Sequence, residues 1–182
     1  MASHDLVLTA GRYGDRVRPM SASKSVLFVC TGNTCRSPMA EGLFRKAVTE
    51  RGDFRVASAG VSAYPGDAAN PETVRFLKGR QIDLADFRSQ PVSLELIENA
   101  THVFAMTAGH LNALESLFPE HSEKFFLTCE FVDIPGRGVG ADLPDPIGMG
   151  RNAYEEVGRV LDLAIPALIE FIDQTWQAEE SE

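Results

Sequence analysis

The sequence is poor in cysteine, and it has no long apolar run. It holds three cysteines in 182 residues, too few for a disulfide framework and typical of a protein of the reducing cytoplasm. No apolar run approaches the roughly 18 residues of a membrane span. Residues 1–24 contain only the short run 6–8 where a secretory signal needs a longer apolar region. We therefore expect a cytoplasmic protein with no membrane partner.

Basic residues are also in deficit. Lysine and arginine number 17 against 26 acidic residues, which gives a formal net charge of -9. An acidic surface repels both the phosphate backbone of nucleic acids and anionic lipid headgroups. The nucleotide-binding motif Gly-x4-Gly-Lys-Ser/Thr is absent from the sequence. These deficits argue against a nucleic-acid-binding protein and a nucleotide-binding P-loop protein.

Short apolar runs alternate with helical patterns along most of the chain. Four runs predict strands, at residues 26–29, 54–57, 103–106 and 125–127. Because strands alternate with helices, we predict one doubly wound α/β domain over 25–176, in which a parallel sheet carries helices on both faces. Residues 1–24 are predicted to be a flexible extension and 177–182 an acidic tail.

Two helices have distinctive sequence signals. Asn70-Pro71-Glu72 places a capping residue before proline and an acid, the pattern of a helix start. The last helix carries an apolar stripe from Tyr154 to Ile172. Pro166 interrupts this stripe, so we predict a kink near Asp162–Pro166 or two abutting helices.

The segment with the clearest chemistry follows the first strand, at residues 30–38. In open α/β sheets ligands bind beyond the carboxyl ends of the strands. The amides of such a turn, together with the start of the next helix, form an anion-binding nest. Gly32 and Asn33 tolerate the left-handed backbone that a nest requires. Arg36 offers a planar guanidinium that can grip two phosphate oxygens.

Cys30 stands at the start of this turn. A helix N-terminus and a nearby guanidinium favour the thiolate form of a cysteine, and a thiolate in a phosphate cradle is placed to attack phosphorus and form a phosphocysteine intermediate. Ser37 can donate its hydroxyl to the sulfur. A lone cysteine after a strand is usually only a small buried apolar residue, but here Arg and Ser follow at fixed spacing. The predicted phosphate-binding residues are Thr31, Gly32, Asn33, Thr34, Cys35 and Ser37.

Residues 26–41, VLFVCTGNTCRSPMAE, resemble the whole signature of the low-molecular-weight protein tyrosine phosphatase family. The resemblance extends loosely from about Ser25 to the last helix, through residues 58–60, 106–110 and 145–146. It implies a four-stranded parallel sheet and a cysteine mechanism that needs neither metal nor cofactor. It also implies phosphorylated proteins as partners and inorganic phosphate as product.

The departing group needs a proton donor. An Asp-Pro in a loop is usually only turn chemistry, but the family's general acid lies in a late Asp-Pro loop. The resemblance therefore implies that Asp145 donates a proton in the first step and accepts one from water in the second. Asp142 is the alternative. We expect the histidines on the surface or in loops, since none stands beside a recognisable partner: His4, His102, His110 and His121.

Three positions bear on the leaving group. Tyrosine phosphatases of the family carry bulky aliphatic residues where this chain has Thr31 and Thr34, and aromatic residues where it has Ile147. The pattern CTGNTCRS is instead similar to the protein arginine phosphatase branch, in which the second threonine is tied to phosphoarginine selectivity. Thr34 leaves room for a guanidinium, and the Asp145 carboxylate can pair with it. We therefore favour phosphoarginine, with Thr34 and Ile147 as selectivity residues and phosphotyrosine as the alternative.

Cys35 and Phe87 raise two further questions. Oxidation of Cys30 to a sulfenic acid could be trapped as a Cys30–Cys35 disulfide, or Cys35 could simply be a packed small residue. Phe87 stands where relatives often have a histidine that braces the loop asparagine. Bracing of Asn33 is therefore expected to rest on Ser37 and Ser58.

Two other functions share this kind of loop. A thiol-coupled arsenate reductase needs an extra reactive cysteine pair after the third strand, and residues 80–128 contain no cysteine. A non-catalytic phosphate-binding or phosphocarrier module would need neither Arg36 nor a general acid. Both alternatives are therefore weaker than a phosphatase.

Overall fold

The computed structural model describes residues 23–176. Its main sheet has four strands, β1 (Lys24–Cys30), β2 (Phe54–Gly60), β3 (His102–Ala105) and β4 (Phe125–Leu127). They are ordered β2-β1-β3-β4, and every neighbouring pair is parallel. The predicted parallel sheet of four strands is confirmed.

Five α-helices connect and follow these strands: α1 (Arg36–Ala47), α2 (Pro71–Lys78), α3 (Leu94–Asn99), α4 (Ala108–Leu117) and α5 (Arg151–Thr175). A 3-10 helix (Pro119–Lys124) precedes β4, and a short antiparallel hairpin, β5 (Asp133–Ile134) and β6 (Gly138–Val139), follows it. The start of α2 is as predicted, because the Asn70 side chain accepts a hydrogen bond from the amide of Glu72 at 2.9 Å. No helix within residues 23–176 is long and apolar enough to span a membrane.

The core has two layers, one on each face of the sheet. Alternate residues of β1 face opposite sides, so that Phe28 packs with α1, α2 and α5 while Val29 packs with α3 and α4. Strands buried on both faces explain the unbroken apolar runs of the sequence. The doubly wound arrangement brings the carboxyl end of β1 to the centre of one sheet edge.

Two predictions about the elements need correction. The last helix is one continuous α5 rather than two abutting helices, because Pro166 lies on its exposed side while Leu161, Ile165 and Leu168 stay in a single core. Lys24, which we placed in the extension, begins β1. Its amide donates to the carbonyl of Asp53 at 2.8 Å. Residues 1–22 and the predicted acidic tail, 177–182, lie outside the described part of the chain.

Candidate active site

The turn between β1 and α1 is held open by its outward-facing carbonyl groups. Donors on neighbouring segments bind four of these carbonyls: Val61 N to Cys30 O at 2.9 Å, Ser62 N to Thr31 O at 2.9 Å, Asn70 N to Thr34 O at 2.8 Å and Thr73 Oγ1 to Cys35 O at 3.2 Å. In residues 23–176 the amides of Gly32, Asn33 and Thr34 donate to no protein acceptor. Because its carbonyl groups are hydrogen-bonded to neighbouring segments and its amides have no protein acceptor, the turn can bind an anion with these amides.

Asn33 fixes the shape of this turn. Its φ is 52°, the left-handed conformation that we predicted, whereas Gly32 does not have a positive φ. Its side-chain Nδ2 donates to Ser37 Oγ at 2.9 Å and to Ser58 Oγ at 2.8 Å. Its Oδ1 accepts from the amide of Gln90 at 2.9 Å. Bracing of Asn33 therefore rests on the backbone amide of Gln90 as well as on the two predicted serines. The contribution of Gln90 could not be predicted, because every residue type except proline carries a backbone amide.

The bracing continues behind Ser58 to a buried carboxyl group. Ser58 Oγ donates to Glu41 Oε2 at 2.5 Å, and Arg45 pairs with Glu41 Oε1 at 2.7 Å. Burial raises the pKa of Glu41. Sequence reasoning assigned no role to Glu41, although it closes the VLFVCTGNTCRSPMAE motif. Phe87 is half-buried and contributes no hydrogen bond from its side chain to this chain of polar groups.

Cys30 and Ser37 are in contact at the base of the turn. Cys30 Sγ lies 3.0 Å from Ser37 Oγ, and both residues are almost fully buried. Ser37 Oγ accepts from Asn33, and its own hydrogen has two acceptors within reach, the carbonyl oxygen of Ala59 at 3.4 Å and the nearer Cys30 sulfur. A hydroxyl that donates to sulfur stabilises the thiolate.

Arg36 and Asp145 meet at the turn although 109 residues separate them in sequence. The Arg36 guanidinium is buried, with Nη1 donating to Leu143 O at 3.2 Å and Nη2 donating to Asp145 Oδ2 at 2.8 Å. The Asp145 side chain is 48% exposed, so it can reach an incoming ligand. Asp142 faces elsewhere, because its Oδ1 accepts from the amide of Ala108 at 2.7 Å. Of the two aspartates that the sequence left open, Asp145 contacts Arg36 and Asp142 does not.

The rim of the turn is formed by small and aliphatic side chains. Thr31 is exposed and Thr34 is half-buried. Ile147 and Met149, which follow the Asp-Pro pair, are 62% and 71% exposed. Residues 147–150 include no aromatic side chain.

Cys35 is buried behind the turn and is a free thiol, as is Cys30. Cys35 Sγ lies 3.4 Å from the hydroxyl of Tyr154 and 3.7 Å from Thr34 Oγ1. Burial raises the pKa of Tyr154, so its hydroxyl stays protonated. Cys129 is buried as well, and burial raises the pKa of its thiol to about 11, in keeping with the predicted core position.

Two histidines are buried, contrary to our expectation. His110 Nε2 lies 2.8 Å from Thr31 Oγ1, and His110 Nδ1 lies 2.8 Å from Thr107 Oγ1. Burial, followed by the charge of Arg36, lowers the pKa of His110. His102 lies in β3 with both ring nitrogens close to threonine hydroxyls. The prediction failed because threonine hydroxyls replace water around both rings. Two of these partners lie close in sequence and could signal the contacts, Thr101 next to His102 and Thr107 three residues before His110.

The chain is similar in sequence to proteins of one known family. The chain matches the model of the family described as low molecular weight phosphotyrosine protein phosphatase over residues 25–178. It is 39% identical over 145 residues to the protein-arginine-phosphatase of Geobacillus stearothermophilus, which covers 80% of this chain and 93% of that protein. It is 40% identical over 132 residues to the protein-arginine-phosphatase of Bacillus subtilis (strain 168), covering 72% and 85% respectively.

A solved structure is also similar. The YwlE arginine phosphatase, in a mutant form with a phosphorylated active-site serine, superposes with a TM-score of 0.75 at 36% identity. The superposition covers 83% of this chain and 97% of that one. The family match spans nearly all of the domain that carries the Cys30 turn. This chain therefore belongs to the low molecular weight phosphotyrosine protein phosphatase family.

Proposed function

We propose that this protein is a cysteine-dependent protein phosphatase that hydrolyses phosphoarginine in proteins in preference to phosphotyrosine. The observation that carries the proposal is the meeting of two pairs at one turn, Cys30 with Ser37 and Arg36 with Asp145. The first pair supplies a nucleophile, and the second supplies an oxyanion ligand and a proton donor. The names of the relatives, protein-arginine-phosphatase in both cases, favour phosphoarginine.

In the first step the Cys30 thiolate attacks the phosphorus atom, and the bond from phosphorus to the leaving nitrogen breaks. Phosphoryl oxygens are bound by amides of the turn, among them the free amides of Gly32, Asn33 and Thr34, and by Arg36, which together stabilise the charge that develops in the transition state. Ser37 donates to the sulfur and makes it a better leaving group in the second step. The product of the first step is phosphocysteine at Cys30.

Asp145 handles the proton in both steps. A phosphoryl group that binds Arg36 competes with Asp145 for Nη2, so substrate binding releases the Asp145 carboxyl group to face the leaving atom. Protonated Asp145 gives its proton to the leaving nitrogen and becomes a carboxylate. That carboxylate then takes a proton from the water that attacks phosphocysteine, and the reaction releases inorganic phosphate and restores the thiolate.

The rim favours a cationic, hydrogen-bonding leaving group over a phenyl ring. Thr31 and Thr34 place hydroxyl groups where a bulky aliphatic residue would close the space, and Ile147 offers no flat ring for stacking. A guanidinium can instead donate a hydrogen bond to the Asp145 carboxyl group, which keeps acceptor capacity while it holds the proton for the leaving nitrogen. Thr34 and Ile147 are accordingly the proposed selectivity residues.

Paired kinetic assays test this function. We expect kcat/KM for phosphoarginine peptides to exceed that for matched phosphotyrosine peptides, and Thr34→Ile to reduce or reverse the ratio. Cys30→Ser should abolish turnover of both substrates and of para-nitrophenyl phosphate. A wild-type preference for phosphotyrosine that Thr34→Ile leaves unchanged would refute the phosphoarginine assignment. Binding of phosphate without any turnover would favour a phosphocarrier or binding module instead.

The proposal also includes protection of the Cys30 nucleophile from irreversible oxidation. Oxidised Cys30 forms a disulfide with Cys35, and the Tyr154 contact must break as Cys35 turns toward the nucleophile. Peroxide followed by thiol should restore activity to the wild type but not to Cys35→Ser. Equal recovery in both would leave Cys35 as a packing residue.

The proposal also includes a cytoplasmic location. The supporting observation for a reducing compartment is that all three cysteines are free thiols.

A further inference from the structure

A chain of three side chains connects the start of α4 to the rim of the turn. Thr107 Oγ1, the two ring nitrogens of His110 and Thr31 Oγ1 follow one another at separations of 2.8 Å. His110 is 7% exposed, whereas Thr31 is exposed. The buried imidazole of His110 therefore fixes the position of the exposed Thr31 hydroxyl. The mechanism proposed above assigns no role to His110.

The direction of these hydrogen bonds follows from the Thr107 hydroxyl. Thr107 Oγ1 accepts from the backbone amide of His110 at 3.3 Å, as the cap of α4. The Thr107 hydrogen is then free for His110 Nδ1, its nearest side-chain acceptor. A neutral imidazole that accepts at Nδ1 carries its hydrogen on Nε2. His110 Nε2 therefore donates to Thr31 Oγ1, and the Thr31 hydroxyl keeps its own hydrogen and one lone pair.

We infer that His110 is a positioning residue for substrate selectivity, which holds Thr31 Oγ1 at the rim as a hydrogen-bond acceptor for the guanidinium of phosphoarginine. The inference rests on the proposed function and adds His110, acting through Thr31, to the proposed selectivity residues Thr34 and Ile147. A guanidinium has only donors to offer, so a rim that selects it must present acceptors. A phenyl ring makes no such bond. Fixing the Thr31 side chain in advance removes the cost of ordering it when the substrate binds.

Two substitutions of His110 separate this role from packing. In His110→Gln the side-chain amide nitrogen takes the place of Nε2 and can still donate to Thr31. In His110→Asn the amide takes the place of Nδ1, so it keeps the Thr107 contact and does not reach Thr31. Both keep a polar group in the buried position. Thr31→Val removes the hydroxyl while it keeps the side-chain shape, and His121→Asn is the control at a histidine outside the turn.

The readout is the ratio of kcat/KM for a phosphoarginine peptide to kcat/KM for a matched phosphotyrosine peptide. We expect His110→Asn and Thr31→Val to lower this ratio about tenfold, the effect of one hydrogen bond. His110→Gln should keep it within about threefold of wild type. His110→Asn should have no further effect in the Thr31→Val background. His121→Asn should leave both substrates unchanged.

Each outcome distinguishes this inference from the proposed function. If the wild type favours phosphoarginine but His110→Asn and Thr31→Val keep the wild-type ratio, His110 does not position Thr31 for selectivity and only the inference is overturned. The same conclusion follows if His110→Gln loses as much as His110→Asn, or if the two effects add in the double variant. If His110→Asn does not fold, Thr31→Val and His110→Gln decide. A wild type that favours phosphotyrosine overturns the proposed function and the inference together.

Discussion

Gly60→Ala is the sharpest test of the idea that the turn at Cys30 depends on support from β2. Gly60 ends β2 directly beneath the turn, where a Cβ would lie 2.5 Å from Thr31 O, 2.9 Å from Asn33 N and 2.9 Å from the Cβ of Ala63. Thr31 O also accepts from Ser62 N at 2.9 Å. Because two of these atoms are backbone, the turn itself must move to admit a methyl group.

The size of the effect follows from these distances. Nonbonded carbon contacts are favourable only at about 3.5 Å and beyond, so the Thr31 carbonyl has to recede by roughly 1 Å. Overpacking of this kind costs about 1–3 kcal/mol of unfolding free energy. A displacement of about 1 Å between reacting groups lowers rate by up to about a hundredfold. We therefore expect Gly60→Ala to fold but to lose about two orders of magnitude in kcat/KM for para-nitrophenyl phosphate.

Gly52→Ala is the matched control. A Cβ at Gly52 would meet no atom within 4 Å, and its φ is not positive, so alanine fits there. This variant should keep the wild-type kcat/KM and an equal or slightly higher melting temperature. If Gly60→Ala were as active as Gly52→Ala, the geometry of the turn would not depend on close approach of β2, and our account of its shape would be wrong.

Three further predictions concern the acid, a buried histidine and a helix contact. Asp145→Asn should lower kcat about 10²–10⁴-fold. Asp142→Asn should lower it far less, because the Asp142 side chain accepts from the amide of Ala108 rather than contacting Arg36. Burial lowers the pKa of His102 from 6.5 to about 4. As the pH falls, His102 is therefore protonated in the unfolded chain before it is protonated in the folded protein. The free energy of unfolding should therefore fall by up to about 3 kcal/mol as pH drops from 6.5 to 4, and His102→Asn should flatten that slope in urea titrations. Gly158→Ala would place a Cβ 1.8 Å from Cζ of Phe76 and should lower the melting temperature by about 4–8 °C or more without a change in KM.

The elements that sequence patterns predict are those whose signals are local. The run 26–29 predicts a strand because both faces of β1 are buried, and Asn70-Pro71-Glu72 predicts a helix start because the cap bonds within two residues. The turn after β1 is predicted for the same reason, since its chemistry lies within eight consecutive positions. The end of β2 was missed, because Ala59 and Gly60 have no bulky side chain to mark a strand.

The parts of the site that were not predicted depend on contacts between distant segments. Glu41 lies 17 residues from its partner Ser58, and His110 lies 79 residues from Thr31. A backbone donor such as the amide of Gln90 leaves no mark on the residue type at all. Likewise, the sequence does not show which of the two aspartates, Asp145 or Asp142, contacts the Arg36 side chain.

The ion pair between Arg36 and Asp145 has a consequence for which anions can occupy the turn. A carboxylate with a single negative charge already satisfies Nη2 of the guanidinium. A monovalent anion such as chloride offers no greater charge than this built-in partner, whereas a phosphoryl dianion offers twice as much. We therefore expect a phosphoryl dianion to displace Asp145 from Arg36 more readily than a monovalent anion does.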